Sequence, residues 1–300
     1  MQLLYARRLD QTLTPESTMK AYNTFIEDSY RTLLFDLYLF TQVLSVATGE
    51  RKRKSKKLRP TEADKAFVAH IHDNPLVKAL RASPELKDVA LKHDFDALVK
   101  AEHLRGFYEA ATSFPSYEEY ATQPTASNDA HLKALLKAHK SLMGHEAYTD
   151  YLEDRFARWT EDESLVVGAV KKILKSLPAS AAFVSTYRPD EETRVAFGHK
   201  LLSYCLESDS TLQAHIEPVL QNWDAERVAL VDMICIKMAL AEFLSFSKIP
   251  PKVTLNEYVE LAKLYSTPKS KEFINGVLDR LLHSLRGEGL IVKEGRGLIE

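Results

Sequence analysis

The sequence predicts an all-α fold. Long windows repeat their apolar residues with the 3.6-residue period of helices, and alternating strand patterns are hard to find. Only ten glycines and twelve prolines punctuate 300 residues, which suits about ten to twelve helices in roughly two domains. An apolar content of 45% and a charged content of 27% are those of an ordinary globular protein. The net charge of -2 gives no global attraction to nucleic acid, so any such binding needs a local patch. Cys205 and Cys235 offer neither a disulfide framework nor a C-x-x-C metal spacing. Each is expected in its helix core as a small apolar residue, in a protein of the reducing cytoplasm without a secretory leader.

Taken in order, Met1 to about Leu9 form a first short helix, and Pro15, at a first-turn position, opens a second. That helix runs into the most apolar segment, Leu33 to Val46, interrupted by Asp36 and Gln42. The segment is shorter than the roughly 20 residues that span a bilayer, so it reads as a buried helix closed by Gly49, with no role in a membrane. Arg51 to Arg59 carry seven basic residues in nine. Mutual repulsion makes such a run a solvated, mobile loop, or otherwise an auxiliary phosphate-binding loop. From Thr61 to Leu177 helices are broken at Asn74-Pro75, Ser83-Pro84, Phe114-Pro115 and Gln123-Pro124, then by the polar stretch Thr125 to Asp129. Glu161, Asp162 and Glu163 suit a helix first turn. Leu177-Pro178 and Arg188-Pro189 mark the entry to a C-terminal unit.

There the helix signals sharpen. Asp224 can cap a helix with Val228, Val231, Ile234, Cys235 and Met238 facing inward. Pro250-Pro251 stops it, and Thr254 with Glu257 reads as a capping box for the next helix, with Leu255, Val259 and Ala262 on one face. Thr267-Pro268 opens a last helix with Phe273, Ile274, Val277, Leu278, Leu281 and Leu282 inward. Asn275-Gly276 falls inside that helix, and its glycine is expected to admit a neighbouring helix or a ligand at close range. Short loops make the three helices antiparallel neighbours.

No phosphate-binding G-x-x-x-x-G-K-[ST], dinucleotide-binding G-x-G-x-x-G or nucleophile-elbow G-x-S-x-G occurs. His70 and His72 would not share a helical face, so no metal site is expected. On this ground the chain is expected not to be an enzyme and to need no cofactor.

Three segments carry a family resemblance: N-W-D-A-E-R-V-A-L-V-D from Asn222, N-E-Y-V-E-L-A-K from Asn256 to Lys263, and E-F-I-N-G-V-L-D from Glu272 to Asp279. Their order and spacing resemble the end of NusB, the bacterial transcription antitermination factor. M-Q-L-L-Y-A from Met1 to Ala6 is similar to the Q-x-L-Y segment of that family's first helix. The resemblance implies a NusB-like helical bundle with additional N-terminal helices. Residues 1–10 are its first helix, 11–184 an inserted helical region, 185–290 the NusB-like C-terminal domain and 291–300 a tail. Leu33 to Val46 are too apolar to remain in water, so the insertion is expected to fold.

The family is an adaptor, holding the boxA element of nascent ribosomal RNA while docking NusE, the ribosomal protein that also serves transcription. The resemblance therefore implies RNA binding within an RNA polymerase antitermination complex. Single-stranded RNA needs cations for its phosphates and aromatic faces for its bases. Tyr5, Arg7, Arg8, Lys269, Lys271 and Phe273 supply both, and the family motif puts Tyr5 and Phe273 near the RNA path. Lys269 stands where the family usually has an acid before the final helix, a change that favours phosphate. The arginine-rich segment that precedes Q-x-L-Y in the family has no counterpart ahead of Met1. Either the start is truncated or misannotated, or Arg7, Arg8 and the basic run substitute. Asp232 falls in the region that approaches NusE and is the expected partner contact. The alternatives are the NusB-like regulatory RNA-binding module of a ribosomal RNA cytosine methyltransferase, and a protein-docking scaffold without RNA binding.

Overall fold

The structure, a computed structural model, describes residues 1–178, 185–220 and 228–298, and contains no strand among them. Sixteen α-helices are seen there, more than the sequence suggests, because prolines and polar turns cut the middle of the chain into short pieces. They are α1 Gln2–Leu9, α2 Pro15–Ser55, α3 Glu62–Ala66, α4 Pro75–Ala82, α5 Pro84–Lys92, α6 Phe95–Leu98, α7 Ala101–Ala111 and α8 Tyr117–Thr122. After them come α9 Asn128–Met143, α10 Glu146–Glu153, α11 Trp159–Ser176, α12 Lys200–Glu207, α13 Asp209–Ile216, α14 Leu230–Ser245, α15 Pro251–Tyr265 and α16 Ser270–Gly287. The chain divides into two units, Met1–Phe25 with Asp190–Glu300, and Ile26–Pro189.

The unit Ile26–Pro189 is built on the apolar part of α2. Leu34, Phe35, Leu37, Leu39, Phe40, Val43 and Leu44 are all at most 1% exposed. A helix apolar all round must be enclosed. Phe35 meets Phe95 of α6 edge-on at 5.2 Å and Phe156 at the same distance, while Phe40 meets His139 of α9. By length and composition α2 passes the test for a membrane-crossing helix, but 67% of its most apolar window is buried in the protein. Asp36 lies in this core, wholly buried. Its two carboxylate oxygens accept from His139 Nε2 at 2.8 Å and from the Tyr148 hydroxyl at 2.7 Å. Burial, with Asp36 beside it, pushes the Tyr148 phenol well above its ordinary pKa.

Two expectations for this region are corrected. Gly49 does not close α2, which continues to Ser55 and takes in Arg51 to Lys54, the last three of these in its final turn. Cations at a helix C-terminus complement the helix dipole, and Glu50 pairs with Arg53 one turn on. The basic run is thus half helix rather than a loop. The proline breaks do fall where the sequence places them. Asn74 and Ser83 accept from the backbone of Val77 and Leu86, capping α4 and α5 with Pro75 and Pro84 in their first turns.

In the other unit α14 is the central helix, buried on every side from Ile234 to Phe243 except at Lys237. α15 and α16 pack on it and on each other, and α1, α12 and α13 flank it. Cys205 and Cys235 are both buried, and burial pushes their thiols up to about 12 and about 11. Two buried carboxylates on α14 fasten the neighbouring helices. Glu242 accepts from the hydroxyls of Thr254 at 2.7 Å and Tyr258 at 3.0 Å on α15. Asp232 accepts from Ser266 and, at 2.7 Å, from Ser270, which begins α16. The expected capping box at Thr254 is therefore corrected. α15 starts four residues earlier, with Pro250 in place of Thr254 as its cap, and the Thr254 hydroxyl turns inward to Glu242. Asp224 lies outside the described residues.

Candidate nucleic-acid interface

The start of α16 is held from beneath. Ser270 donates to buried Asp232 while Thr267 and Ser270 share a hydrogen bond at 2.8 Å, so the turn Thr267 to Lys269 enters the helix in a fixed direction. The inward side of α16, Ile274, Val277, Leu278, Leu281 and Leu285, is buried. The other side is open. Lys269, Phe273, Gly276 and Arg280, spaced at steps of three or four, line a groove of about 530 Å³ together with Glu272 and Val277. Phe273 is half-buried, rooted on the core but facing this groove. Lys271 is exposed beside the groove without lining it. Neither lysine, nor Arg280, is in an ion pair among the described residues.

Arg280 is a residue that sequence reasoning missed. Its signal in the sequence is the spacing of Lys269, Phe273, Gly276 and Arg280 at steps of three and four, interleaved with the apolar face of α16.

The other expected contacts lie elsewhere. Arg7 and Arg8 line a cleft of about 860 Å³ whose walls also include Asp209, Glu217 and Lys237. Arg7 Nε donates to the carbonyl of Leu13 at 3.2 Å, and Tyr5 is 39% exposed on α1. Of the six expected RNA contacts, Arg7 and Arg8 line the cleft beside α1, Lys269 and Phe273 line the groove on α16, and Tyr5 and Lys271 line neither. The expected partner contact at Asp232 is corrected: the side chain is 4% exposed, and both oxygens are engaged by Ser266 and Ser270. It positions the start of α16 from inside.

The helix does run through Asn275-Gly276, but no neighbour among the described residues approaches the glycine. A Cβ at Gly276 would meet nothing within 4 Å. Of the two close approaches expected from sequence, a neighbouring helix or a ligand, the helix is absent among the described residues, and Gly276 forms part of the open groove. Gly276→Ala should therefore raise stability by about 1 kcal/mol, the propensity gain of an exposed helix position. Thermal denaturation followed by circular dichroism measures it, and a lower melting temperature would show that the site is crowded after all.

The family model of the NusB family matches residues 157–283. The chain is 36% identical over 104 residues to the transcription antitermination protein NusB of Chloroherpeton thalassium, covering 35% of this chain and 49% of that protein. It is 43% identical over 93 residues to the protein of the same name from Salinibacter ruber, covering 31% and 56%. A third, from Natranaerobius thermophilus, is 41% identical over 81 residues, covering 26% of this chain and 58% of that one. The chain spans about half the length of the curated relatives it matches. No solved structure matches it. The match begins at residue 157, within the unit Ile26–Pro189, and accounts for none of that unit's earlier helices. The expectation that the chain is not an enzyme is corrected by this: a NusB domain over residues 157–283 says nothing of the residues before it, so the exclusion does not extend to the whole chain.

Proposed function

We propose that this chain, which carries a NusB-family domain over residues 157–283, is a transcription antitermination factor that binds boxA-type RNA. It docks the ribosomal protein NusE and works with the RNA polymerase antitermination complex in the cytoplasm. The observation that carries the reading is the groove of α16. A half-buried aromatic ring, a glycine floor and two cations without an ion pair among the described residues, Lys269 and Arg280, line one open helix face. Single-stranded RNA asks for such a combination, with a ring for stacking a base and cations for the flanking phosphates. Lys271 adds a third cation beside it. Tyr5, Arg7 and Arg8 extend the surface along α1, where the cleft lined by Arg7 and Arg8 takes a second stretch of the strand. NusE docks on the same unit and completes a surface that binds RNA weakly alone.

The test is titration of a labelled boxA-like RNA with the full chain, with and without NusE, over a range of salt. Binding is expected to be weak alone, stronger with NusE, and to weaken as salt rises because phosphate contacts release counterions. Lys269→Glu with Lys271→Glu should reduce affinity and lower the salt slope by about 1.4, from roughly 0.7 per phosphate contact on a single strand. Binding that ignores salt, or that is absent even with NusE, would overturn the reading. An unchanged dissociation constant in the double variant would remove those two lysines from the site.

A further inference from the structure

The basic run Arg51 to Arg59 lies in the unit Ile26–Pro189, and none of its residues lines the cleft beside α1 or the groove of α16. Its seven cations fall into two sets. Three are bound internally: Arg53 to Glu50 at 2.7 Å, and Lys54 and Lys57 to Asp64 at 3.0 and 2.9 Å. Asp64 and Glu50 are themselves buried, and Glu50 is also met by Arg105 at 3.2 Å. The other four, Arg51, Lys52, Lys56 and Arg59, are exposed and make no ion pair or side-chain hydrogen bond among the described residues.

The internal set fixes the external one. Arg51 and Lys52 stand at the C-terminal end of α2, Lys52 in its last turn. Lys56 and Arg59 follow in a turn whose backbone bonds back to Arg53 and Lys54. That turn is then held by Lys57 on Asp64, and Asp64 closes the capping box of α3 with Thr61. The lysine ammoniums hold the Asp64 carboxyl below the usual carboxylate range, so the anchor stays charged at neutral pH. Four like charges within nine residues repel one another and ordinarily scatter. Here the fold holds them together and leaves them unneutralised, and the half-charge of one helix end is too small to compensate four cations.

We propose that Arg51, Lys52, Lys56 and Arg59 form a docking surface for the phosphodiester backbone of a nucleic acid. The surface has no aromatic ring and one exposed apolar side chain, Leu58. It therefore holds the strand by phosphates without reading bases, and it lacks the apolar face that anchors a helix to a bilayer. Its existence does not depend on the groove of α16, which lies in the other unit.

The experiment uses the full chain and labelled oligouridylate and oligothymidylate of equal length. The quadruple variant R51Q/K52Q/K56Q/R59Q removes charge while keeping helix-compatible side chains, and circular dichroism checks its fold. Each neutralised phosphate on a single strand contributes roughly 0.7 to the salt slope, so four contribute about 2.8. Between 50 and 200 mM salt the wild type should lose about 50-fold more affinity than the variant. The same difference should persist when both carry K269E/K271E, which separates this surface from the groove. The charge-keeping variant K52R/K56R should bind as the wild type does. RNA and DNA should bind equally. An unchanged affinity and slope in the quadruple variant overturns the proposal, as does a preference for RNA beyond about tenfold that the quadruple variant abolishes. Loss in that variant of binding to phosphatidylserine vesicles or polyglutamate, with oligonucleotide binding unchanged, would assign the surface to a membrane or an acidic protein instead.

Discussion

Asp36→Ala should destabilise the unit Ile26–Pro189 by about 3–5 kcal/mol, the usual cost of removing one member of a buried, hydrogen-bonded polar set. The side chain has no access to water, and it is the acceptor for both His139 and Tyr148, themselves buried. Alanine leaves an imidazole N–H and a phenol O–H without partners in a core too apolar to replace them, each costing about 1–3 kcal/mol. Asp36→Asn keeps one carbonyl oxygen and should lose less. Native-state hydrogen exchange read by peptide reports the unit directly, since its amides should lose protection while those of α14 to α16 keep theirs. A loss under about 1 kcal/mol would mean that water enters beside α9 and substitutes for the carboxylate.

That network also marks where the sequence ceased to be legible. Asp36 reads as an interruption of an apolar helix because its partners stand 103 and 112 residues away. No local pattern announces them. Elements stated by neighbouring residues were readable. Proline after asparagine or serine marked α4 and α5, and the apolar period through Phe273, Ile274 and Val277 carried α16 across Asn275-Gly276. Errors arose where a local signal competed with a tertiary partner. Thr254 and Glu257 fit a capping box, yet the Thr254 hydroxyl serves Glu242 on another helix. Gly49 looked like a helix end, but α2 runs on to Ser55, with Glu50 and Arg53 paired along its last turns. Asp232 looked like a surface acid because burial cannot be read from charge. Of the candidate site, the aromatic and lysine at the head of α16 were legible through a motif. Arg280 was not, because it joins them only when the exposed face is traced.

Glu242→Ala should cost the unit containing α14 to α16 about 2–4 kcal/mol, since it strands the hydroxyls of Thr254 and Tyr258, both at most 3% exposed. Glu242→Gln separates hydrogen bonding from charge. Burial raises the Glu242 carboxyl above its ordinary pKa, against the opposing effect of the two hydroxyl hydrogen bonds and of Lys293. The folded state thus binds the proton more tightly than the unfolded chain does. Its contribution to stability is complete below the ordinary carboxylate range and is lost as pH rises through the raised folded value. Glutamine imitates the protonated acid and has no such loss. The variant should match the wild type in acid and exceed it at neutral pH, with the gap opening across that window. Chemical denaturation at a series of pH values, read by peptide-resolved hydrogen exchange over α14 to α16, gives the comparison. A glutamine variant that falls below the wild type at neutral pH, by a margin that grows with pH, would mean that the native state holds Glu242 as a stabilised anion. The clasp between α14 and α15 would then be ionic, with Lys293 as its counter-charge.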